Sequence, residues 1–468
     1  MIIPLIVSLI YGEGDARAFA YSIGITEVLS ILLFLITRTK KREVSHKEGF
    51  IFVAFAWFVA GFFGSLPYFL FNIFPGDSIF MSLTDSIFES ISGFTTTGAT
   101  VISSIENLPH GILFWRSLTH WLGGMGIILL SMCVLPLLGV GGMQLYKAEV
   151  PSPVTDKLFP KIADTAKVLW LIYLFLTLAE IVLLSLGGME IFDSICHTFG
   201  TLATGGFSTK NLSIEHYNSA YIHYVIIAFM YLAGVNFSLH FSLLRGSLKP
   251  FKNNEEFKFY TGITLFFTLL ITISLFTNGI YNSITDSLRY GLFQVLTILT
   301  TTGFSTANFE EWSSSAKFIL FALMFVGASA GSTGGGIKCL RILLLLKLAY
   351  RELKKLIHPH GVFPVKIDNK MVSKDVIESV YGFFFLYFAI SMFCALIISF
   401  YGIDILSSVS IVAASIGNIG PGFGVIGPHD NYSALPIIVK WISIMCMLLG
   451  RLEIYTLILL FIPVYWKK

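Results

Sequence analysis

Long apolar segments recur along the whole chain, and they constrain the fold more than any other feature. Stretches of about 20 or more mostly apolar residues lie roughly at 20–37, 49–74, 111–140, 166–187, 219–244, 259–278, 315–348, 376–402 and 434–465. A helix of this length crosses the hydrocarbon core of a bilayer and satisfies its own backbone polar groups there. The sequence therefore predicts an all-α polytopic membrane protein.

Composition agrees with this class and excludes others. Of 468 residues, 55% are hydrophobic and only 13% are charged, and the formal net charge of +3 is too small to indicate a nucleic-acid partner. The five cysteines show no CxxC or paired spacing, which favours a role as small hydrophobic residues. An enzyme is disfavoured because the chain lacks HExxH, GxSxG and clustered His or Asp within its spans.

Three short loops rich in threonine and glycine and a looser fourth copy, together called the Thr/Gly loops, alternate with the apolar segments. They read Thr95-Thr96-Thr97-Gly98, Ala203-Thr204-Gly205-Gly206, Thr300-Thr301-Thr302-Gly303 and Asn418-Ile419-Gly420-Pro421. The four glycines are separated by 108, 97 and 117 residues, so a unit of about a hundred residues occurs four times. We predict four membrane-pore-membrane repeats with pseudo-fourfold symmetry at 49–146, 147–256, 257–373 and 374–468, after an N-terminal helix pair and cytoplasmic link at 1–48.

The distribution of basic residues predicts the orientation of the chain. Residues 38–42 read Arg-Thr-Lys-Lys-Arg, and residues 338–374 hold nine Lys or Arg against only Glu352 and Asp368. Cytoplasmic loops of membrane proteins are enriched in Lys and Arg. The links between repeats are therefore expected on the cytoplasmic side of the membrane, and the Thr/Gly loops on its outer side.

A segment too short to span precedes each Thr/Gly loop, so it must enter and return on the same side. Such backbone is tolerated only where it lines a protein-enclosed or water-filled path. Asp85 and Asp193 stand thirteen residues before their glycines, with Asp286 and Asp404 in looser equivalents, and we expect them to cap short helices. The partly negative C-terminal end of each helix would then point at the membrane centre and favour a cation there.

The Thr/Gly loops are the predicted cation-selective site. Backbone carbonyls can replace the hydration shell of K⁺, and glycine most cheaply adopts the dihedral angles that point them at one axis. In the fourth loop Gly420 and Gly422 are both candidates, and Gly420 fits the pattern better. The predicted filter residues are Thr96, Thr97, Gly98, Thr204, Gly205, Gly206, Thr301, Thr302, Gly303, Asn418, Ile419 and Gly420.

A glycine-rich stretch at 327–338 interrupts the second span of the third repeat. A phosphate-binding loop is disfavoured because Lys338 lies one residue after the position that this motif requires following Gly336, and because no strand precedes the stretch. Helix packing through small residues remains an alternative. Three consecutive glycines do not sustain a helix cheaply, so we predict an unwound gating loop below the filter that includes Gly331, Gly334, Gly335, Gly336 and Lys338.

Ionisable residues also occur within spans, where a functional role is the default hypothesis. We expect Arg451 to face the pore, hydrogen-bond the glycine-rich loop, hold it shut and repel cations, and a structural pair with Glu453 is the alternative. Arg116 and His120 are expected at the membrane interface. The intramembrane residues Glu180, Asn236 and His240 are expected to hydrogen-bond between helices.

These motifs resemble the Trk-type potassium uptake proteins, specifically the TrkH/TrkG membrane subunit, in a superfamily with KtrB and the plant HKT transporters. The motifs are Thr95-Thr96-Thr97-Gly98-Ala99-Thr100, Trp121-Leu122-Gly123-Gly124-Met125-Gly126, Gly139-Val140-Gly141-Gly142-Met143-Gln144-Leu145, Gly331-Ser332-Thr333-Gly334-Gly335-Gly336, Asn418-Ile419-Gly420-Pro421 and Gly450-Arg451-Leu452-Glu453. The resemblance covers essentially the whole chain. It implies the four repeats and the N-terminal helix pair, of whose first helix residues 1–11 match only the end.

The resemblance also implies a function and partners. It implies potassium uptake across the bacterial inner membrane by a homodimer, gated by a cytoplasmic TrkA-type subunit that binds NAD and ATP on its own chains. No cofactor is expected on this chain, and the basic stretch at 338–374 would be the dock. In the family that the chain resembles, a glycine at the position of Gly98 is associated with a preference for K⁺. The alternative function is a secondary symporter coupled to H⁺ or Na⁺, with substrate bound at broken helices.

Overall fold

The computed structural model describes residues 1–37, 46–75, 78–133 and 162–463, and within these ranges the chain is nearly all helical. The strands found there form one short hairpin, Lys366–Ile367 paired antiparallel with Lys370–Met371. The basic residues at 38–42, the links around Lys147, Lys157 and Lys161, and the motif at 139–145 lie outside the described residues.

The helices follow the predicted order of an N-terminal pair and four repeats. The pair is α1 (Ile2–Tyr11) and α2 (Ala16–Thr37), and the first repeat holds α3 (His46–Gly64), α4 (Leu66–Phe71), α5 (Ile79–Phe94) and α6 (His110–Cys133). The second holds α7 (Ile162–Leu186), α8 (Ile191–Leu202), α9 (Ala220–Ala233), α10 (Phe237–Leu244) and α11 (Lys249–Asn253). The third holds α12 (Glu255–Thr277), α13 (Ile284–Leu299), α14 (Ser314–Leu323) and α15 (Cys339–Ile357). The fourth holds α16 (Lys374–Ser399), α17 (Ile405–Ile416), α18 (Ile437–Arg451) and α19 (Tyr455–Ile458).

The surface of the helices has the polarity of a membrane protein. Long helices present large apolar side chains outwards, for example Phe175 on α7, Leu265 on α12 and Phe385 on α16, which is 73% exposed. The short helices α5, α8, α13 and α17 instead bury serine and threonine side chains. Among the described helices, five are long and apolar enough to cross a membrane, or up to seven if each sharply bent pair is one span. The predicted all-α polytopic membrane fold is confirmed.

The second span is broken in three of the four repeats. Helices α9 and α10 meet at 100°, and α18 meets the short helices that follow it at 113°. Residues 324–338 separate α14 from α15 without helix, as the run of glycines predicted. At the break after α18, Glu453 and Ile454 have φ values of 55° and 57°, which residues other than glycine rarely adopt, least of all a residue with a branched Cβ such as Ile454.

The predicted capping role is right for one of the four aspartates. Asp404 accepts a hydrogen bond from the backbone N–H of Ser407, 3.0 Å away, at the start of α17. Asp193 and Asp286 lie within the first turn of their helices, after the N-cap, and α13 is capped by Ser283 instead. Asp85 lies inside α5, where its carboxylate pairs with Lys440 at 2.7 Å. The capping prediction is therefore wrong for these three, because a serine or a backbone turn already begins each helix.

Candidate functional site

The four short helices deliver their loops in the same register. Each ends four residues before a glycine: α5 at Phe94, α8 at Leu202, α13 at Leu299 and α17 at Ile416, before Gly98, Gly206, Gly303 and Gly420. In each loop the residue before the glycine (Gly205 in the second) donates its N–H back to a helix carbonyl five residues earlier, over 2.8–2.9 Å. The helix end therefore sets the position of each loop.

The loop backbone repeats the same unusual conformation four times. Thr96, Thr204, Thr301 and Asn418, two residues before the glycines, have φ values of 53°, 54°, 60° and 56°. The glycines themselves have φ values of 79°, 81°, 81° and 93°. Gly422 is not among the residues with positive φ, so Gly420 is the backbone counterpart of the other three.

The four glycines form a closed ring in which each faces the backbone of the next repeat. A Cβ atom on Gly98 would lie 2.0 Å from the carbonyl oxygen of Gly205. The same construction gives 2.0 Å from Gly206 to Thr302, 2.0 Å from Gly303 to Ile419, and 2.6 Å from Gly420 back to Thr97. Any side chain would collide with a backbone carbonyl. The structure thus brings together all twelve residues that the sequence predicted as a filter.

A depression lies on one side of this ring, and the glycine-rich loop lies on the other. The depression is lined by all four ring glycines and by residues that follow them, with Lys210 and Asp430 at its wall. The glycine-rich loop contacts residues that precede the ring glycines. Its Gly335 N–H donates to the Thr301 hydroxyl over 2.7 Å, and a Cβ on Gly335 would lie 2.5 Å from the Gly417 carbonyl.

Arg451 is buried against the glycine-rich loop. Its side chain is 2% exposed, and its guanidinium donates to the carbonyls of Thr333 over 2.8 Å and Gly123 over 3.2 Å. The predicted hydrogen bond between Arg451 and this loop is present. The alternative pair with Glu453 is wrong, because Glu453 pairs with Arg341 at 2.6 Å.

Other contacts place the remaining predicted gate residues within the same loop. The Lys338 ammonium donates to the carbonyl of Gly334, and the Gly331 carbonyl accepts from the backbone N–H of Phe237 at the break of α9 and α10. Glu256 accepts from the backbone N–H groups of Ala330 and Leu340, over 2.7 and 3.1 Å. Glu256 therefore anchors both ends of the loop. The sequence analysis did not single it out.

Arg116 and His120 were predicted to be interfacial, and this is wrong. Their side chains are 1% and 0% exposed, behind the loops of the first two repeats. Arg116 pairs with Glu89 of α5 at 2.8 Å, and the His120 ring accepts a hydrogen bond from the Phe207 backbone N–H. The prediction of an interfacial position came from their place near the start of a span. In the structure, the beginning of α6 packs against the re-entrant helices, which bury both side chains.

Comparisons with known proteins place the chain in a family. A family model for TrkH, described as a cation transport protein, matches residues 16–468. The Trk system potassium uptake proteins TrkH of Salmonella typhimurium and Escherichia coli are each 43% identical, covering 100% of this chain and 96% of theirs. The crystal structure of the potassium transporter TrkH from Vibrio parahaemolyticus superimposes with a TM-score of 0.90 at 37% identity, covering 100% of this chain and 96% of that one. This chain is therefore a membrane transport protein, not an enzyme, and it belongs to the TrkH family.

Proposed function

We propose that this protein takes up K⁺ across the bacterial cytoplasmic membrane through the ring of four Thr/Gly loops. The observation that carries the proposal is the closed ring, in which each glycine abuts the carbonyl of the next repeat. Carbonyl oxygens held around one axis replace the hydration shell of an alkali cation without a buried fixed charge. The related proteins named for potassium uptake and transport support K⁺ as the substrate.

The direction of the short helices supports a cation in particular. All four end at the ring, so the partly negative carbonyl ends of their dipoles converge there. Glycine at all four ring positions, including Gly98, allows the backbone conformation in which the loop carbonyls can point toward the bound ion. The twelve loop residues named above are therefore the proposed K⁺ ligands, with the four repeats bounded as the sequence predicts.

The glycine-rich loop is the proposed gate. It lies against the inner ends of the third and fourth loops, and Arg451 places a positive charge beside it with no carboxylate paired to the guanidinium within the described chain. A buried cation on the permeation path raises the barrier for K⁺. Release of the loop from Arg451 would open the path.

Control from the cytoplasm and a dimeric assembly complete the proposal. Helix α15 continues directly from the gate into the basic stretch that ends at Lys374, and Lys354 and Lys355 form its last turn. A partner that binds this stretch would pull on the gate. We therefore propose a homodimer regulated by a TrkA-type subunit that carries the nucleotide, NAD or ATP, on its own chains.

Coupled symport is the second candidate, and one buried carboxyl group favours it. Glu180 on α7 is fully buried and approaches Thr201 without reaching hydrogen-bond geometry. An intramembrane carboxyl group of this kind is typical of proton pathways. Proton coupling through Glu180 would make this protein a potassium–proton symporter.

Rubidium uptake into vesicles reconstituted with the purified protein tests both candidates. A selective pore predicts Rb⁺ uptake down its own gradient that is blocked by K⁺ and not by an impermeant cation, with no dependence on an imposed proton gradient at fixed membrane potential. Uptake that requires the proton gradient and is lost in Glu180→Gln favours symport. Equal uptake of Rb⁺ and Na⁺ would contradict the selective pore.

A further inference from the structure

A buried ion pair lies next to the ring in the first repeat, where Arg116 is among the residues that line the depression. Glu89 of α5 and Arg116 of α6 are 0% and 1% exposed, and the Arg116 Nε is 2.8 Å from a Glu89 carboxylate oxygen. Removing two charges from water costs several kcal/mol, and mutual attraction rarely returns more than that cost. Net stabilisation alone is thus a weak reason for the pair, and its other contacts indicate what it does.

Glu89 holds the outer part of the first loop. Its two carboxylate oxygens accept from the Thr100 hydroxyl over 3.0 and 3.1 Å, and one of them accepts from the Val101 backbone N–H over 3.1 Å. These residues follow Gly98 by two and three positions. The carboxylate therefore fixes the chain directly after the ring glycine.

Arg116 reaches from the first loop to the second. Its guanidinium donates to the Thr100 hydroxyl over 3.3 Å and to the Ser208 carbonyl over 3.1 Å. The guanidinium also stacks over the Phe207 ring, 4.2 Å from its centroid. Arg116 thus bridges residues that immediately follow Gly98 and Gly206.

His120, one turn further along α6, adds a second bridge. Because the Phe207 N–H donates to Nε2 over 3.1 Å, the hydrogen must be on Nδ1, which donates to the Gly93 carbonyl over 2.8 Å. A neutral ring of this tautomer ties the end of α5 to the second loop. Both bridges hold the loops of repeats one and two at a set separation.

The other repeats use a shorter brace at the same position. Nine residues before the glycines stand Glu89, His197, Gln294 and Ile411. His197 bonds the Ser208 hydroxyl at 2.9 Å and Gln294 donates to the Thr306 hydroxyl over 3.4 Å, each within its own repeat. In the fourth repeat the neighbouring Ser410 accepts from the Phe423 N–H over 2.6 Å. The brace is charged only in the first repeat, and there Arg116 extends it to the next loop.

We propose that Arg116, held by Glu89, is a positioning residue that sets the spacing of the first two filter loops, so that discrimination between K⁺ and Na⁺ depends on it. The proposal rests on the filter function proposed above. Arg116 does not bind the ion in this scheme. It acts through its hydrogen bonds to the Ser208 carbonyl and the Thr100 hydroxyl. Each of these residues lies two positions after a ring glycine, so a shift in either one moves that glycine through the backbone.

Two variants separate position from charge, and a neighbouring ion pair supplies the control. Arg116→Lys keeps the charge but cannot bridge Thr100, Ser208 and Glu89 together, and the double variant Glu89→Gln with Arg116→Met removes both charges without leaving one unpaired. The control is Asp85→Asn with Lys440→Met. This pair is also buried and involves the same helix α5, and its hydrogen bond joins the first and fourth repeats without touching a filter loop.

Competitive Rb⁺ and Na⁺ uptake into vesicles, with thermal unfolding of each purified variant, tests the proposal. Both Arg116 variants are expected to lower the Rb⁺/Na⁺ uptake ratio by roughly three- to tenfold, which lies in the lower part of the range that coupling energies between contacting residues allow. The control pair is expected to lower thermal stability and leave the ratio unchanged. The proposal is overturned if either Arg116 variant keeps the wild-type ratio, or if the control pair lowers the ratio as much.

A fourth variant distinguishes failure of this inference from failure of the filter assignment. If Gly303→Ser changes the ratio while the Arg116 variants do not, the ring selects ions but Arg116 does not position it. If Gly303→Ser also leaves the ratio unchanged, the filter assignment itself is wrong.

Discussion

The ring and the glycine-rich loop beneath it are both built from glycine, but they are held in different ways. Each ring loop is fixed by backbone bonds to its own short helix and by the carbonyl of the next loop, four times over. The glycine-rich loop occurs once. Backbone bonds join its two ends to each other and tie it to the break between α9 and α10, and single side chains from elsewhere hold the rest, chiefly Arg451, Glu256 and Thr301.

This difference fits the two proposed tasks. A selective site must keep its oxygen atoms in place, and the backbone bonds from each loop to its own short helix leave few ways to change the shape of one loop. A gate must have two states of similar free energy, and a loop whose contacts with the ring and with Arg451 are single side-chain bonds can be released there by losing one of them. The four repeated ring loops are therefore suited to ion selection, and the single glycine-rich loop is suited to control of the flux.

The largest effect is expected where a side chain enters the ring. In Gly303→Ser the new Cβ would lie 2.0 Å from the Ile419 carbonyl oxygen, so the fourth loop must move. Overpacking of this kind costs about 1–3 kcal/mol, and we expect the Rb⁺/Na⁺ uptake ratio to fall by roughly tenfold or more, since about 1.4 kcal/mol is a factor of ten.

Gly279→Ser is the matched control for backbone strain. Gly279 has a φ of 67°, close to the 81° of Gly303, but a Cβ there would have no atom within 4 Å. It should lose about 1 kcal/mol of stability from the left-handed conformation and keep the wild-type ratio. A similar loss of selectivity in both variants would show that strain, and not the ring contact, matters.

The next largest effect is expected at Arg451. Arg451→Ala removes the charge and the bonds to the Thr333 and Gly123 carbonyls. A hydrogen bond to a charged group contributes about 1.5–3 kcal/mol, so we expect basal Rb⁺ flux without a partner subunit to rise by roughly tenfold. Selectivity should not change, because the ring makes no bond to Arg451 among those described.

Arg451→Lys tells whether the hydrogen bonds or the charge close the path. A lysine keeps the charge, but its single ammonium group cannot span the two carbonyls as the planar guanidinium does. High flux in both variants would assign closure to the bonds. Low flux in Arg451→Lys alone would assign it to the charge, and low flux in both properly inserted variants would exclude Arg451 from the gate.

The sequence was sufficient for the parts of the molecule that repeat or are locally improbable. Four Thr/Gly loops at matched positions predicted the ring, and three consecutive glycines predicted the break before α15. An arginine inside a span has few acceptable neighbours, so its bond to the glycine-rich loop was also predictable. In each case the signal lies within a short stretch of chain.

The parts that were missed depend on which helix faces which. Arg116 meets Glu89 and Ser208 only after α5, α6 and the second loop have packed, and Lys440 meets Asp85 across 355 positions. No local pattern marks such partners in a single sequence. The same holds for Asp85, whose position within α5 directs it to a distant lysine and not to the start of its own helix.

The smallest effect is expected at the one described hydrogen bond between ring loop and gate. The Thr301 hydroxyl accepts from the Gly335 N–H over 2.7 Å, whereas the equivalent Thr96 hydroxyl in the first repeat has no hydrogen-bond partner in the described structure. Thr301→Val should weaken closure by about 1 kcal/mol, the net contribution of one hydrogen bond, and raise basal Rb⁺ flux about fivefold. The Rb⁺/Na⁺ ratio should not change, because the Thr301 backbone carbonyl, which is the proposed K⁺ ligand, is kept.

Thr96→Val is the control, because it makes the same substitution at a residue with a similar φ value but removes no hydrogen bond to the glycine-rich loop. Its basal flux should stay at the wild-type level. Combining Thr301→Val with Arg451→Ala then measures whether the two contacts hold one closed state. If they do, the double variant should gain less flux than the product of the single effects, because a released gate cannot be released again. Fully multiplicative effects, or a changed Rb⁺/Na⁺ ratio in Thr301→Val alone, would mean that this hydroxyl supports the ring and that selection and control share a structural element.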